Sequence, residues 1–387
     1  MSEPGGDGLG LYVHFPYCAR RCIYCDFNLT TPKAIPAEAY TDGLIRELGW
    51  RLDPTRPIHV PSGTRLRSLY VGGGTPSLWP RRQLGRFLSA VSAALPLVSG
   101  AEVTLEANPE EVDAAMIDEL VALGVNRISL GVQSLDEAEL VAMSRAHGRA
   151  KALEALEQLA AAHADGRLTS YSVDLMYGLP GQSGAAWEAG LREVIERFDP
   201  PHLSLYALTV ETRTVLALKI RKKAMAAPED HLQAAMMFRA RDLLAGLGYS
   251  HYEVSSWARP GHVAVHNSGY WELRPYLALG AGAHGFIDGQ RYNNEGRPSR
   301  YLERVESSGP EVSVERPGVA TLRFERLMTG LRRLDRGIAL TADEREVYAP
   351  VIAAEVALGR LVEDGEAIRL TDEGLRFMDD VLLGFLP

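Results

Sequence analysis

The stretch His14-Phe15-Pro16-Tyr17-Cys18-Ala19-Arg20-Arg21-Cys22-Ile23-Tyr24-Cys25-Asp26-Phe27 holds all three cysteines of the 387-residue chain. Their spacing, C-x3-C-x2-C, arises by chance in roughly 4 of 100,000 random placements of three cysteines, a far stronger signal than a lone pair. The count of three matters as much as the spacing. Structural zinc sites and ordinary iron–sulfur sites take four protein ligands. Three thiolates on one short loop leave the fourth position open, and a [4Fe–4S] cluster with one uncapped iron can bind a small molecule there. Burial as apolar thiols is the competing reading, and the spacing disfavours it. Clustered, unpaired cysteines also suit a reducing compartment, where thiolates are available to metal.

Composition narrows the class. Apolar residues make up 46% and charged residues 24%, ordinary for a globular protein large enough for two domains. Net charge is 41 − 50 = −9, which argues against wholesale binding to nucleic-acid phosphates. No basic segment followed by an apolar one, and no bilayer-length apolar run, is present. The expectation is a cytoplasmic protein with at most peripheral membrane contact.

From about residue 10 to residue 208, short β-rich runs alternate with longer helical patterns, predicting an α/β fold of parallel strands joined by helices. Six strands are predicted, over 11–15, 68–71, 102–106, 127–130, 170–174 and 202–206. Helices are predicted around 40–52, 114–123 and 151–162. Polar or glycine-rich groups sit at the ends of the first five strands: the cysteine loop, Gly72-Gly73-Gly74-Thr75-Pro76, Glu106, Gln133 and Asp174. In α/β barrels and open α/β sheets the strand C-termini form the active face, so five such deliveries predict one site.

A second region, about 249–294, is dense in aromatic residues and histidines. A polar linker is expected over roughly 295–318. Beyond it, helices over 322–334 and 344–358 precede a two-stranded wing at 361–370. The expected organisation is a core over 1–298, including the 249–294 extension, and a mostly helical winged-helix-like domain over 319–387. That last region has no basic excess, so a lid or docking role fits better than DNA binding.

The triple glycine lets a ligand approach the backbone closely. It lacks the Lys-Ser/Thr of a phosphate loop, so nucleotide phosphate is a poor fit. Tyr24 precedes the last cysteine and could pack beside a purine. Glu106, Gln133, Arg145 and Asp174 read equally as ligand groups or as structural hydrogen-bonding groups, and their shared face tilts them toward ligand. In His266-Asn267-Ser268-Gly269-Tyr270-Trp271, histidine is a common haem ligand and flat rings pack on porphyrins. Read physically, that motif is more simply an ordinary buried cluster.

The chain resembles the oxygen-independent coproporphyrinogen III dehydrogenase family of radical S-adenosylmethionine (radical SAM) proteins, and within it the haem-chaperone subgroup called HemW. The residues that carry the resemblance are Tyr12–Cys18 through Asn28, Gly72–Pro76, Ser129–Ser134, Asp174–Pro180 and His266–Trp271. The resemblance implies a partial (β/α)6 barrel and a [4Fe–4S] cluster on Cys18, Cys22 and Cys25. It implies S-adenosylmethionine contacts at Tyr12, Tyr24, Gly73, Gly74, Thr75, Glu106, Gln133, Arg145 and Asp174. It places haem at His266, Asn267, Tyr270 and Trp271. It also implies delivery of haem to respiratory proteins, a haem donor such as bacterioferritin, and a homodimer. The alternative function is radical oxidative decarboxylation of coproporphyrinogen III. Against that stand Phe27, where the dehydrogenases carry a fourth cysteine, and the mere 17 residues before Cys18.

Overall fold

Each of the six predicted strands has an apolar side and a polar side, and that alternation builds the architecture. The computed structural model describes residues 8–386. The strands are β1 (Leu9–Phe15), β2 (Leu66–Gly73), β3 (Leu97–Ala107), β4 (Arg127–Gln133), β5 (Ser170–Tyr177) and β6 (His202–Ala207). Each pairs in parallel with the next. On one face Leu11, Val13, Leu69, Val71, Val103, Leu105, Ile128, Leu130, Val173 and Leu203 enter the main core. The connecting helices cover that face: α1 (Ala37–Leu52), α2 (Arg81–Ala94), α3 (Ala114–Ala122), α4 (Glu137–Ala142), α5 (Arg149–Ala164) and α6 (Gly184–Phe198). Leu44, Phe87, Ile117, Leu156 and Val194 are their contributions to the same core.

The opposite face is polar and largely buried. Buried polar groups need partners, and here they find one another. The Asp174 carboxylate accepts from the Ser129 hydroxyl at 2.9 Å and from Ser172 at 3.0 Å. Ser172 is also 2.8 Å from His202 Nδ1, and the Tyr70 hydroxyl donates to Glu106 at 2.8 Å. The inner wall is therefore a hydrogen-bonded lattice rather than an oily core.

The sheet is larger than six strands and open. After α7 (Val215–Arg221) and α8 (Asp230–Gly246), β7 (Ser250–Glu253) and β8 (Ser256–Ala258) extend it antiparallel beyond β6. At the other edge β9 (Tyr276–Leu279) pairs in parallel with β1, followed by β10 (His284–Ile287), β11 (Gln290–Asn294) and β12 (Glu311–Glu315). The aromatic region of 249–294 is thus divided between the two edges of the sheet. A short helix between them, α9 (Val265–Trp271), packs near the starts of the strands.

The stretch expected as a linker is structured. α10 (Pro298–Ser307) packs on α1, and β12 forms the sheet edge, so the first body continues to Glu315 rather than ending at 298. Proline at the first helical turn starts α10 without loss of a needed N–H. Only Tyr301 and Val305 are buried, so the segment reads as polar in sequence. Beyond it, α11 (Val319–Gly330), β13 (Ile338–Ala339), α12 (Ala342–Ala357), β14 (Leu361–Asp364) and β15 (Ala367–Leu370) form a three-stranded sheet with helices. Leu327, Leu331, Ile352, Ile368 and Phe385 give it a hydrophobic cluster of its own.

One buried carboxylate ties the late elements to the first helix. Glu47 on α1 accepts from Arg51 at 3.1 Å, Asn294 at 2.7 Å, the Gly280 N–H at 2.8 Å and the Tyr301 hydroxyl at 2.6 Å. Glu47→Ala would leave the buried Arg51 guanidinium with only Glu311, at 3.3 Å, and the Asn294 amide oxygen, at 2.9 Å, and would strip the Tyr301, Asn294 and Gly280 donors of their acceptor; breaking a buried pair costs up to about 3–5 kcal/mol. In urea unfolding it should therefore lose several-fold more stability than Asp42→Ala, which breaks an exposed pair with Arg86 worth at most about 1 kcal/mol. Equal, small losses would contradict this role for Glu47.

Candidate functional site

The cysteine loop is fixed at both ends. On one side the Gly74 N–H donates to the Phe15 carbonyl at 2.8 Å, and the Thr75 N–H to the Tyr17 carbonyl at 2.8 Å. The Thr75 hydroxyl donates to Cys18 Sγ at 3.3 Å. On the other side Ile23 is buried with Met143, Met176, Leu179, Leu208 and Leu216. Its N–H donates to the Met143 carbonyl, and its own carbonyl accepts from Leu216.

The glycine run is required by this crossing. A Cβ on Gly74 would lie 2.6 Å from the Tyr17 oxygen and 3.0 Å from Cys18 Sγ. Gly73 has φ +120°, and a Cβ there would meet the His14 ring at 2.7 Å. The sequence pointed to a close ligand approach; the groups that forbid side chains here belong to the protein itself, while the same glycines still face open space.

That space is a cavity of about 350 Å³ bounded by the cysteine loop and the strand ends. Cys18, Cys22, Cys25, Tyr24, Gly73, Gly74, Thr75, Glu106, Gln133, Arg145 and Asp174 all line it. Eleven of the sixteen residues singled out in the sequence therefore meet in one place. Among the described residues, no three His, Cys, Asp or Glu side chains converge as a single metal ion would need. All three thiols border this one volume.

Charged groups face the same cavity. Arg145 reaches Cys22 Sγ at 3.4 Å and is held by Asn108 Oδ1 and the Gly131 carbonyl, each at 2.7 Å. Its buried Nε has no hydrogen-bond partner among the described residues. Burial works to lower the Arg145 pKa, but Tyr24 and Cys22 beside it raise it, so the cation faces the thiols. Burial pushes the Cys18 thiol up to about 11, against the Thr75 hydrogen bond that lowers it. An electropositive group is what would turn such thiols into thiolate ligands. Across the cavity, burial raises Glu106 to about 7, although the Tyr70 hydroxyl and the Gly73 N–H both favour its charged form. Burial likewise raises Asp174. Gln133 takes a left-handed backbone, φ 68°, at a register shift in β4 that turns its side chain to the strand end.

The remaining residues lie elsewhere. Tyr12 borders an adjoining cavity, with its hydroxyl 2.9 Å from His14 Nδ1. His266, Asn267, Tyr270 and Trp271 are on α9, beside the strand starts. His266 Nδ1 lies 2.9 Å from the Ser68 hydroxyl, four residues and about 13 Å along β2 from Gly72. Its Nε2 lies 2.8 Å from the Tyr270 hydroxyl, and its ring stacks on Tyr70. Burial lowers its pKa to about 3. Arg332 stacks over the Trp271 ring at 4.3 Å. The sequence alone assigned no site role to Tyr70, Asn108 or Ser129, which hold Glu106, Arg145 and Asp174 in place. The period of two along β2 and β4 was the signal that could have found Tyr70 and Ser129.

Comparison with known proteins adds the family. The family model of the radical SAM superfamily matches residues 12–194. The chain is 34% identical to the haem chaperone HemW of Escherichia coli over 98% of both chains. It is 35% identical to the mouse mitochondrial radical S-adenosyl methionine domain-containing protein 1, over all of this chain and 89% of the relative. Among solved structures, the coproporphyrinogen III oxidase HemN of Escherichia coli superposes with a TM-score of 0.82 at 22% identity, covering 99% of this chain and 91% of that one. This last likeness speaks to the fold.

The raised Glu106 pKa has a definite sign in stability. The folded state holds this proton more tightly than the unfolded one, so the contribution is full below the ordinary carboxyl pKa of 4.5 and lost as pH rises to about 7. Compared with Glu106→Gln, the wild type should lose stability between pH 4.5 and 7 and run parallel above it, in urea titrations without ligand. Parallel profiles throughout would contradict a buried, proton-holding Glu106.

Proposed function

The chain belongs to the radical SAM superfamily and, within it, to the HemW family of haem chaperones, and on that premise we propose that it binds haem and hands it to a haem-requiring protein. The cofactor half of this reading is carried by the gathering of three thiols, a glycine strand end and two buried carboxylates around one cavity. Cys18, Cys22 and Cys25 would hold a [4Fe–4S] cluster, with Arg145 offsetting its charge. The chemistry such a cluster would supply is a Lewis-acidic iron site and an electron for S-adenosylmethionine. Gly73 and Gly74 leave room for the methionine end of the ligand. Glu106 and Asp174 offer acceptors for hydroxyl or ammonium hydrogens, and Gln133 offers both a donor and an acceptor. Tyr24 closes the side next to Cys25.

The haem half rests on the family and on Tyr270, which α9 supplies to the cleft adjoining the cysteine cavity. Haem-requiring respiratory acceptors, a donor such as a bacterioferritin, a homodimer and a cytoplasmic setting belong to this reading. Among the described residues no helix is long and apolar enough to cross a membrane. Phe27 stands where a dehydrogenase carries its fourth cysteine, which supports haem transfer over coproporphyrinogen decarboxylation.

Two measurements test the proposal. Anaerobically reconstituted protein should carry about four irons per chain, and Cys22→Ser should lose them; full iron retention would remove the cysteine loop from the cluster. The reconstituted protein should also take up haem and pass it to an apo-acceptor without converting coproporphyrinogen III. Robust decarboxylation with no haem uptake would reverse the reading.

A further inference from the structure

We propose that His284 is the axial ligand of the haem iron, in the cleft between β1, β9 and β10, and that His266 is a positioning residue. This rests on the haem-chaperone reading above. The cleft has a volume of about 520 Å³, within the roughly 300–1,000 Å³ typical of cofactor sites. Tyr12, Phe27, Tyr270 and Tyr276 supply its aromatic walls, and His14 and His284 also line it. Flat rings of this kind pack well on a planar macrocycle. Phe27 is 60% exposed at the boundary with the cysteine cavity, an exposure that a ligand would relieve.

Three histidines lie close enough to matter, and ligation needs a ring nitrogen with a free lone pair. Both nitrogens of His14 are engaged, Nδ1 with the Tyr12 hydroxyl at 2.9 Å and Nε2 with the Asn28 carbonyl at 2.8 Å. Both nitrogens of His266 are engaged, with Ser68 and Tyr270, and the residue is only 2% exposed. Pulling His266 out would leave two hydroxyls without their partner, at a cost of about 1–3 kcal/mol for each one buried. The His284 side chain makes no hydrogen bond among the described residues and is exposed at the cleft. His266 acts through Tyr270: it holds the phenol hydroxyl, so the ring stands edge-to-face with Tyr276 at 4.7 Å and forms the wall of the cleft.

The cleft shares Asp26, Phe27, Gly73 and Glu106 with the cysteine cavity. Haem would therefore sit beside the cluster site, and His266 is set behind the cleft wall, screened from it by Tyr270.

The test is haemin titration of the full-length, anaerobically reconstituted protein, followed by absorption and EPR spectra. His284→Ala should weaken haemin binding by at least roughly ten- to a hundredfold, the loss that removing only a ligand's outer-shell partner causes, and should abolish the signature of nitrogen-ligated ferric haem. In His284→Gly, added imidazole should restore that signature. His266→Ala should keep the signature. A wild-type spectrum and affinity in both His284 variants, with loss in His266→Ala, would overturn the assignment and make His266 the ligand. Failure of the wild type to bind haemin would instead overturn the haem reading on which the assignment rests.

Discussion

Two backbone hydrogen bonds, from Gly74 to the Phe15 carbonyl and from Thr75 to the Tyr17 carbonyl, press the cysteine loop onto the end of β2. The rest of the site depends on that contact. It excludes side chains at positions 73 and 74 and brings Cys18 under the Thr75 hydroxyl. It also leaves Glu106 free to accept from the Gly73 N–H across the strand end. A cavity walled by thiols on one side and carboxylates on the other follows from the crossing of two chain segments, each held by its own strand.

The polar inner wall is the second constraint. An oily barrel would fill itself with side chains. Here Ser68, Thr104, Ser129, Ser172, His202 and Ser204 are buried, and small hydroxyls and a histidine leave room above and below. At the strand starts α9 closes the barrel, its first N–H groups donating to the Glu102 carboxylate at 2.8 and 3.1 Å. Among the described residues, no helix closes it in the same way at the strand ends. Lattice below and opening above give the fold its direction, and the cysteine loop occupies the open end. Buried polar groups that lose a partner cost about 1–3 kcal/mol each, so the wall tolerates few substitutions.

Much of this was legible in the sequence, for identifiable reasons. The six strands alternate strictly between apolar and polar residues, and the glycine and cysteine runs sit at their ends, so the strand-end site could be assembled before any coordinates. The segment 295–318 was not legible. α10 buries only Tyr301 and Val305, and β12 is an edge strand whose residues are mostly exposed, so neither shows a strong period. The division of 249–294 between two sheet edges was hidden too, because β7 to β9 are three or four residues long, and the strands on which β8 and β9 dock, β6 and β1, lie far away in sequence. The histidine of the α9 motif was the hardest to read. Nothing local in His266-Asn267-Ser268-Gly269-Tyr270-Trp271 reveals that Ser68, on a distant strand, occupies one ring nitrogen.

The central claim is that one cavity holds both an iron–sulfur cluster on the three cysteines and S-adenosylmethionine against the strand ends. EPR of the reduced, reconstituted protein with and without S-adenosylmethionine tests it most directly. The account predicts that the ligand changes the g-values of the cluster signal, and that Glu106→Gln weakens the ligand dependence of that change. A cluster spectrum identical in the presence and absence of saturating S-adenosylmethionine would contradict it.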